Sequence, residues 1–227
     1  MSRKKKGGND ENLSVRVKTA KGRKTSSTRW LKRQLNDPYV RKAKADGYRS
    51  RAAYKLLEIN TKHKLFKPGM NIVDLGAAPG SWSQVALQEL KGKGKVVGID
   101  LLAVEPMEGL TFLQGDFLDE ATYRELETLM NNQKVDMVMS DMASNASGHP
   151  QTDHIRIMAL CEAALEFAVD WLNPDGIFLA KVLQGGTEGE LLKHMKQYFQ
   201  KTYHIKPEAS RSDSSEMYVL ATGFRER

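Results

Sequence analysis

Met70-Asn71-Ile72-Val73-Asp74-Leu75-Gly76-Ala77-Ala78-Pro79-Gly80-Ser81-Trp82 is the stretch whose reading decides the fold. Asn71 to Leu75 is a short apolar run with β-branched residues, Gly76 to Gly80 is a glycine-bounded turn, and Ser81 opens an apolar pattern of helical period. Strand, glycine turn and helix bring a backbone close to a nucleotide-like ligand, because glycine has no Cβ and reaches positive φ without strain. The turn is Gly-x-x-x-Gly with a proline inside. It has neither the Gly-x-Gly-x-x-Gly spacing of dinucleotide binders nor the Gly-Lys-Ser/Thr ending of a phosphate-cradling loop. A nucleoside without phosphate suits it better than a pyrophosphate, and S-adenosylmethionine is the common one. The plain alternative is a tight turn with no ligand.

Outward from this stretch, apolar runs and helical periods alternate. Strands are expected at 71–75, 95–100, 111–114, 135–140, 176–182, 201–208 and 216–223, and helices at 81–91, 119–131, 152–172 and 187–199. Alternation of this kind implies α/β architecture: a mostly parallel seven-stranded sheet with helices on both faces. Little separates the last two strands, so they are expected to form a hairpin with the final strand antiparallel. Upstream, Asp37-Pro38 suits a helix start with Asp as cap and Pro at the first position. That helix would end at Asp46-Gly47, and Ser50 would cap a second one running to about Lys62.

The 227 residues carry a net charge of +7, unevenly spread. Residues 1–60 hold 18 Lys/Arg against 5 Asp/Glu, an excess of +13, and residues 61–227 hold 17 against 23, an excess of −6. Residues 1–36, rich in Lys, Arg, Gly, Ser and Thr, read as a basic, disordered arm ahead of a domain over 37–227, with Trp30-Leu31 as the place where a short helix could start. The asymmetry points to a polyanion, most often nucleic acid, unless the arm only aids solvation. No apolar run approaches the ~20 residues of a membrane span. Cys161 is the single cysteine, so an internal disulfide and a thiolate metal site are not expected, and a reducing, cytoplasmic compartment is.

In open sheets ligands bind beyond the carboxyl ends of the strands. Asp74, Asp100, Asp116, Asp141 and Lys181 stand at five successive strand ends. Asp100 can accept both ribose hydroxyls of an adenosine, a device shared with NAD enzymes. Asp116 could meet the adenine amino group or simply cap the helix after it. Trp82 could bound the ligand or simply pack. Asp141 and Lys181 are the reacting pair: a buried lysine can take a proton from a ribose hydroxyl at neutral pH, and a carboxylate steadies the ammonium. Lys55 lies at the margin of an apolar stripe, so it either snorkels to water or is itself a cation held over a site at the sheet edge. Glu216 shares a face with Tyr218 and Leu220, and is either a solvated strand start or a reach into the same site.

Asp37-Pro38-Tyr39-Val40, Arg49 to Leu56, Asp74 to Trp82, Gln114 to Phe117, Met139 to Ala143, Lys181-Val182 and Glu216 to Val219 together resemble the FtsJ (RlmE) family of ribose 2′-O-methyltransferases acting on large-subunit ribosomal RNA. The resemblance covers about Asp37 to Gly223. It implies a Rossmann-like fold using S-adenosylmethionine, and a Lys-Asp-Lys-Glu tetrad falling on Lys55, Asp141, Lys181 and Glu216, with Lys181 the proton acceptor. It implies cofactor contacts at Gly80, Trp82, Asp100, Asp116 and Asp141, no metal, and a uridine of 23S RNA in the peptidyl-transferase region, modified late in assembly. Ser81 departs from a glycine common in the family, and Ser144 from a usual proline. The expected partners are ribosomal RNA and the large subunit, without membrane or disulfide partner, and the chain is expected to act as a monomer. A base methyltransferase is the nearest rival, yet the Asn/Asp-Pro-Pro-Tyr/Phe of amine-methylating enzymes is absent after the fourth strand. A dehydrogenase lacks its dinucleotide loop. An RNA-binding assembly factor would have no use for a buried base.

Overall fold

A computed structural model describes residues 25–144, 147–184 and 188–226. The elements run α1 (Thr25–Leu35), α2 (Pro38–Ala45), α3 (Ala52–His63), β1 (Asn71–Leu75), α4 (Ser81–Leu90), β2 (Lys95–Asp100), β3 (Leu110–Gln114), α5 (Glu120–Leu129), β4 (Val135–Ser140), α6 (Pro150–Trp171), β5 (Leu172–Leu183), α7 (Glu188–Tyr198), β6 (Phe199–Ile205) and β7 (Glu216–Phe224). One seven-stranded sheet has the order β3-β2-β1-β4-β5-β7-β6. β1 to β5 are parallel, and β7 is antiparallel to both β5 and β6. The chain leaves β1 in one direction to build β2 and β3, then returns to lay β4 on the other side. That reversal opens a crevice beyond the carboxyl ends of β1 and β4.

Each strand of the middle presents alternate residues to two apolar layers. Ile72, Met137, Met139, Leu179, Tyr218 and Leu220 face α3 and α4, packing with Leu56, Ile59, Trp82 and Val85. Val73, Val138, Phe178 and Val219 face the other way, toward Leu165, Phe167 and Met195 of α6 and α7. At the opposite rim Asp136 ties three strands, accepting Asn71 N–H at 2.7 Å and the Asn173 amide at 2.9 Å. No helix of the described residues is long and apolar enough to cross a membrane. Cys161 is buried in α6, and burial pushes its thiol up to about 12, so it stays protonated and inert.

Several boundaries differ from expectation. Within the stretch expected as an arm, Thr25–Leu35 forms α1, spanning the Trp30-Leu31 position; residues 1–24 lie outside the described residues. α3 is capped at Arg51, without a side-chain bond, while Ser50 stands one residue earlier and its Oγ accepts Ala52 N–H at 3.1 Å. β5 starts at Leu172 rather than 176, because its register with β4 shifts across Asn173 to Gly176, where Asp175 takes φ 64°. β6 ends at Ile205, short of Pro207, which has no N–H to give a ladder.

Candidate active site

The same alternation that fills the α3/α4 layer carries charged side chains to its upper rim. Met137 and Met139 precede Asp141, whose N–H extends the ladder to Leu75 O at 3.2 Å. Leu179 precedes Lys181 on β5. β7 runs the other way, with Lys181 opposite Tyr218 and Leu183 opposite Glu216, so the start of β7 meets the end of β5. Lys55 comes down from α3 among Ala53, Leu56 and Ile59.

These groups form one chain of contacts. Lys181 Nζ lies 2.8 Å from Asp141 Oδ1 and donates to the Asp141 carbonyl at 2.8 Å. Tyr218 donates its hydroxyl proton to the same Oδ1 at 2.8 Å and accepts from Lys55 Nζ at 3.1 Å. Lys55 Nζ pairs with Glu216 Oε1 at 2.6 Å, and Ser210 Oγ donates to that oxygen at 2.9 Å. Two buried cations thus face two carboxylates, the arrangement in which neither sign is left uncompensated. Burial works to raise the Asp141 carboxyl, but Lys181 and Lys55, with hydrogen bonds from Lys181 and Tyr218, hold it below the usual carboxylate range. All four expected tetrad residues therefore meet. Tyr218 was not singled out from sequence, since a tyrosine in a strand reads as a core residue; its place two residues after Glu216 was the available signal.

Beside Asp141 lies a cavity of about 240 Å³. Its walls are Gly76 and Ala78 of the turn, Asp100 to Leu102, Gly115 to Leu118, Asp141 to Ala143, Ile99 and Leu160. Asp100 is anchored by Ala78 N–H at 2.9 Å and Leu102 N–H at 2.8 Å, leaving each carboxylate oxygen capacity for another donor. Asp116 accepts Leu118 N–H at 3.0 Å, and Asp119, not Asp116, is the cap of α5. None of the walls is basic and three carboxylates reach them, which suits a nucleoside bearing a cationic centre and not a phosphate. Gly76, at φ 79°, leaves room for Met142, whose backbone would stand 2.8 Å from an added Cβ. Gly80 and Trp82 are not among the walls. Gly80, at φ 100°, is the cap of α4, and its missing Cβ leaves room for Arg49. Trp82 is 2% exposed, donates its indole N–H to Ala52 O at 3.0 Å and packs 5.5 Å from the Tyr218 ring. Beneath the cavity Asp74 is fully buried, its Oδ2 taking the Ser83 hydroxyl at 2.6 Å and its Oδ1 without a hydrogen-bond partner among the described residues.

On the far side of the tetrad a second pocket, of about 220 Å³, is lined by Arg33, Arg51, Lys55, Arg211, Asp213, Ser214 and Glu216. Two of its arginines are held by Asp37, which caps α2 and pairs with Arg51 and, at 3.1 Å, with Arg211, while Arg33 faces Asp213 at 3.9 Å. Arg49 points elsewhere: its guanidinium donates to Pro79 O, Glu105 O and Pro106 O, lashing the glycine turn to the loop after β2. Ser81, the departure noted in the turn, shares a hydrogen bond with Ser50 at 2.7 Å and so joins α4 to the start of α3.

A cavity without a basic wall at the strand reversal, with an antiparallel strand inserted beside β5, fits the Rossmann-like methyltransferases better than the dinucleotide enzymes. The model of FtsJ-like methyltransferases matches residues 48–224, and the chain belongs to that family. It is 55% identical over 225 residues to ribosomal RNA large subunit methyltransferase E of Parvibaculum lavamentivorans, covering 95% of this chain and 88% of that one. It is 53% identical over 233 residues to the protein of the same name from Ruegeria pomeroyi, covering 99% and 100%. Among solved structures, a Plasmodium falciparum protein described as a ribosomal RNA methyltransferase superposes with a TM-score of 0.72 at 30% identity, over 79% of this chain and all of that one.

Proposed function

We propose that this enzyme methylates the ribose 2′-oxygen of a uridine in large-subunit (23S) ribosomal RNA, late in subunit assembly, in the cytoplasm. The observation that carries the reading is the position of the tetrad between two unlike pockets: Asp141 lines the carboxylate-walled cavity, and Lys55 and Glu216 line the arginine-rich one. S-adenosylmethionine in the first would supply a methyl group on a sulfonium centre. Asp100 would hold its ribose, Asp116 its adenine amino group and Asp141 the end near the sulfonium, with the Gly76–Gly80 turn as the floor. Arg33, Arg51 and Arg211 would hold phosphates flanking the target nucleotide.

Lys181 Nζ would take the 2′-hydroxyl proton, and S-adenosylmethionine held by Asp100, Asp116 and Asp141 would supply the methyl group that the 2′-oxygen receives. Asp141 orients Lys181 and steadies the ammonium that results. Lys55 and Glu216 fix the ribose and the lysine network. Holding both reactants in line supplies a large part of the rate, on the order of 10⁵ M or more in effective concentration for well-oriented groups.

The test uses methyl-labelled S-adenosylmethionine with assembled large subunits and, separately, protein-free ribosomal RNA, followed by digestion to nucleosides. Label is expected in 2′-O-methyluridine. Lys181→Ala is expected to abolish it while cofactor binding persists, and near-normal turnover in that variant would sink the mechanism. Label on a base would change the reaction class. Bound cofactor with no label on either RNA would favour a 2′-O-methyltransferase acting on another RNA, or an assembly factor.

A further inference from the structure

We propose that Tyr218 is a positioning residue for the transfer step: its hydroxyl joins the Lys55–Glu216 pair to the Lys181–Asp141 pair and shares Asp141 Oδ1 with Lys181, so that it sets how firmly that carboxylate holds the lysine amine. The inference rests on the reading of Lys181 as proton acceptor. Tyr218 is fully buried, and its oxygen is the one atom bonded to both halves of the tetrad, to Lys55 Nζ at 3.1 Å and to Asp141 Oδ1 at 2.8 Å. Oδ1 also receives Lys181 Nζ at 2.8 Å. A carboxylate oxygen that serves two donors gives each less than it would give one alone. With the hydroxyl removed, the Asp141 charge acts undivided on Lys181 and favours its ammonium over the free amine.

Tyr218 can keep this role because it does not ionise. Burial, followed by the charges on Asp141 and Glu216, drives its hydroxyl well above the usual 10. The ring is held independently of the hydroxyl, by Trp82, which is itself tied to Ala52. The other charged groups beside the pair are Lys55 from α3, Glu216 from β7 and Asp74 from β1, and a Tyr218→Phe exchange leaves all of them in place.

The experiment compares the parent enzyme with Tyr218→Phe on large subunits, measuring kcat and both KM values from about pH 6 to about pH 10. The acid limb of the kcat profile is expected to move upward by about one pH unit. The rate at neutral pH falls by about tenfold. The two profiles converge at high pH, and neither KM changes. A uniform loss at every pH, or no loss, would overturn the inference. Replacing Tyr218 with 3-fluorotyrosine, a stronger donor of the same shape, is expected to move the limb the opposite way; a limb that does not move refutes the sharing of Oδ1 even if Tyr218→Phe folds poorly. Lys181→Ala measured alongside separates the two ideas. Turnover there removes the base assignment, whereas an inactive Lys181→Ala with a parallel Tyr218→Phe profile removes only the role of Tyr218.

Discussion

Residues at one rim of the sheet behave differently according to what faces them. Asp74, fully buried, and Asp141, partly buried, stand at the ends of neighbouring strands. Asp141 has lysines beside it. Asp74 has only Ser83, and burial, aided by the charges on Asp141 and Asp100, pushes its carboxyl up to about 7. An unfolded aspartate titrates near 3.9, so between about pH 4 and about pH 7 the folded state holds a proton that the unfolded state has lost. The stability this contributes is full below about pH 4 and is lost as pH rises to about 7. Asp74→Asn cannot ionise, so the parent's melting temperature is expected to fall relative to the variant's across that window and to run parallel above it. Parallel curves throughout would mean that Asp74 is ionised when folded. Sequence placed this carboxylate at a strand end but not its protonation, which depends on the absence of a neighbouring cation, a tertiary property.

Elements were legible where a period or a turn signal was strong. The seven strands and the final hairpin follow from alternation and from the short Pro207 to Ser215 connection. The tetrad was legible because family motifs carry it, and its convergence is explained by the antiparallel direction of β7. What sequence could not give were contacts that depend on the crossing of elements: Trp82 filling the layer under Tyr218, and Arg49 bridging two loops. Glycines show the same distinction. Gly76 is expected to resist substitution: Gly76→Ala meets both a positive φ and the Met142 backbone, for a cost of about 2–4 kcal/mol. Its melting temperature would drop by roughly 4–16 °C, with weakened cofactor binding, since Met142 lines the cavity. Gly69 also has positive φ, 94°, but open space around it, so Gly69→Ala should cost only about 1 kcal/mol. Thermal melts of the two variants check the contrast, and equal losses would show that φ alone, not the close approach, matters at Gly76.

For the whole molecule, charge is divided as the function requires. The sheet domain is acidic overall, the carboxylate-walled cavity has no basic wall, and the positive excess lies in the first quarter of the chain and reaches the second pocket through Arg33, Arg51 and Lys55. Residues 1–24 hold 9 Lys/Arg against 2 Asp/Glu. We propose that they follow the RNA backbone by counterion release. Removing them is expected to leave the melting temperature and cofactor affinity unchanged, to weaken binding to ribosomal RNA, and to flatten the fall of log affinity with log salt. An unchanged slope would show that this segment touches no phosphate. Composition made this division visible from the start, because unpaired charge in bulk needs no fold to be counted.

The hairpin of β6 and β7 has one more consequence, for the moments before the molecule is finished. Until it docks, β5 is an open sheet edge whose apolar residues Phe178 and Leu179 have no neighbour on that side. Unpaired edges of this kind recruit strands from other molecules. The element that covers the edge is the one that carries Glu216 and Tyr218. The strand that closes this edge is thus also the one that brings Glu216 and Tyr218 to Lys55, Asp141 and Lys181, so covering the edge and assembling the cluster are one event.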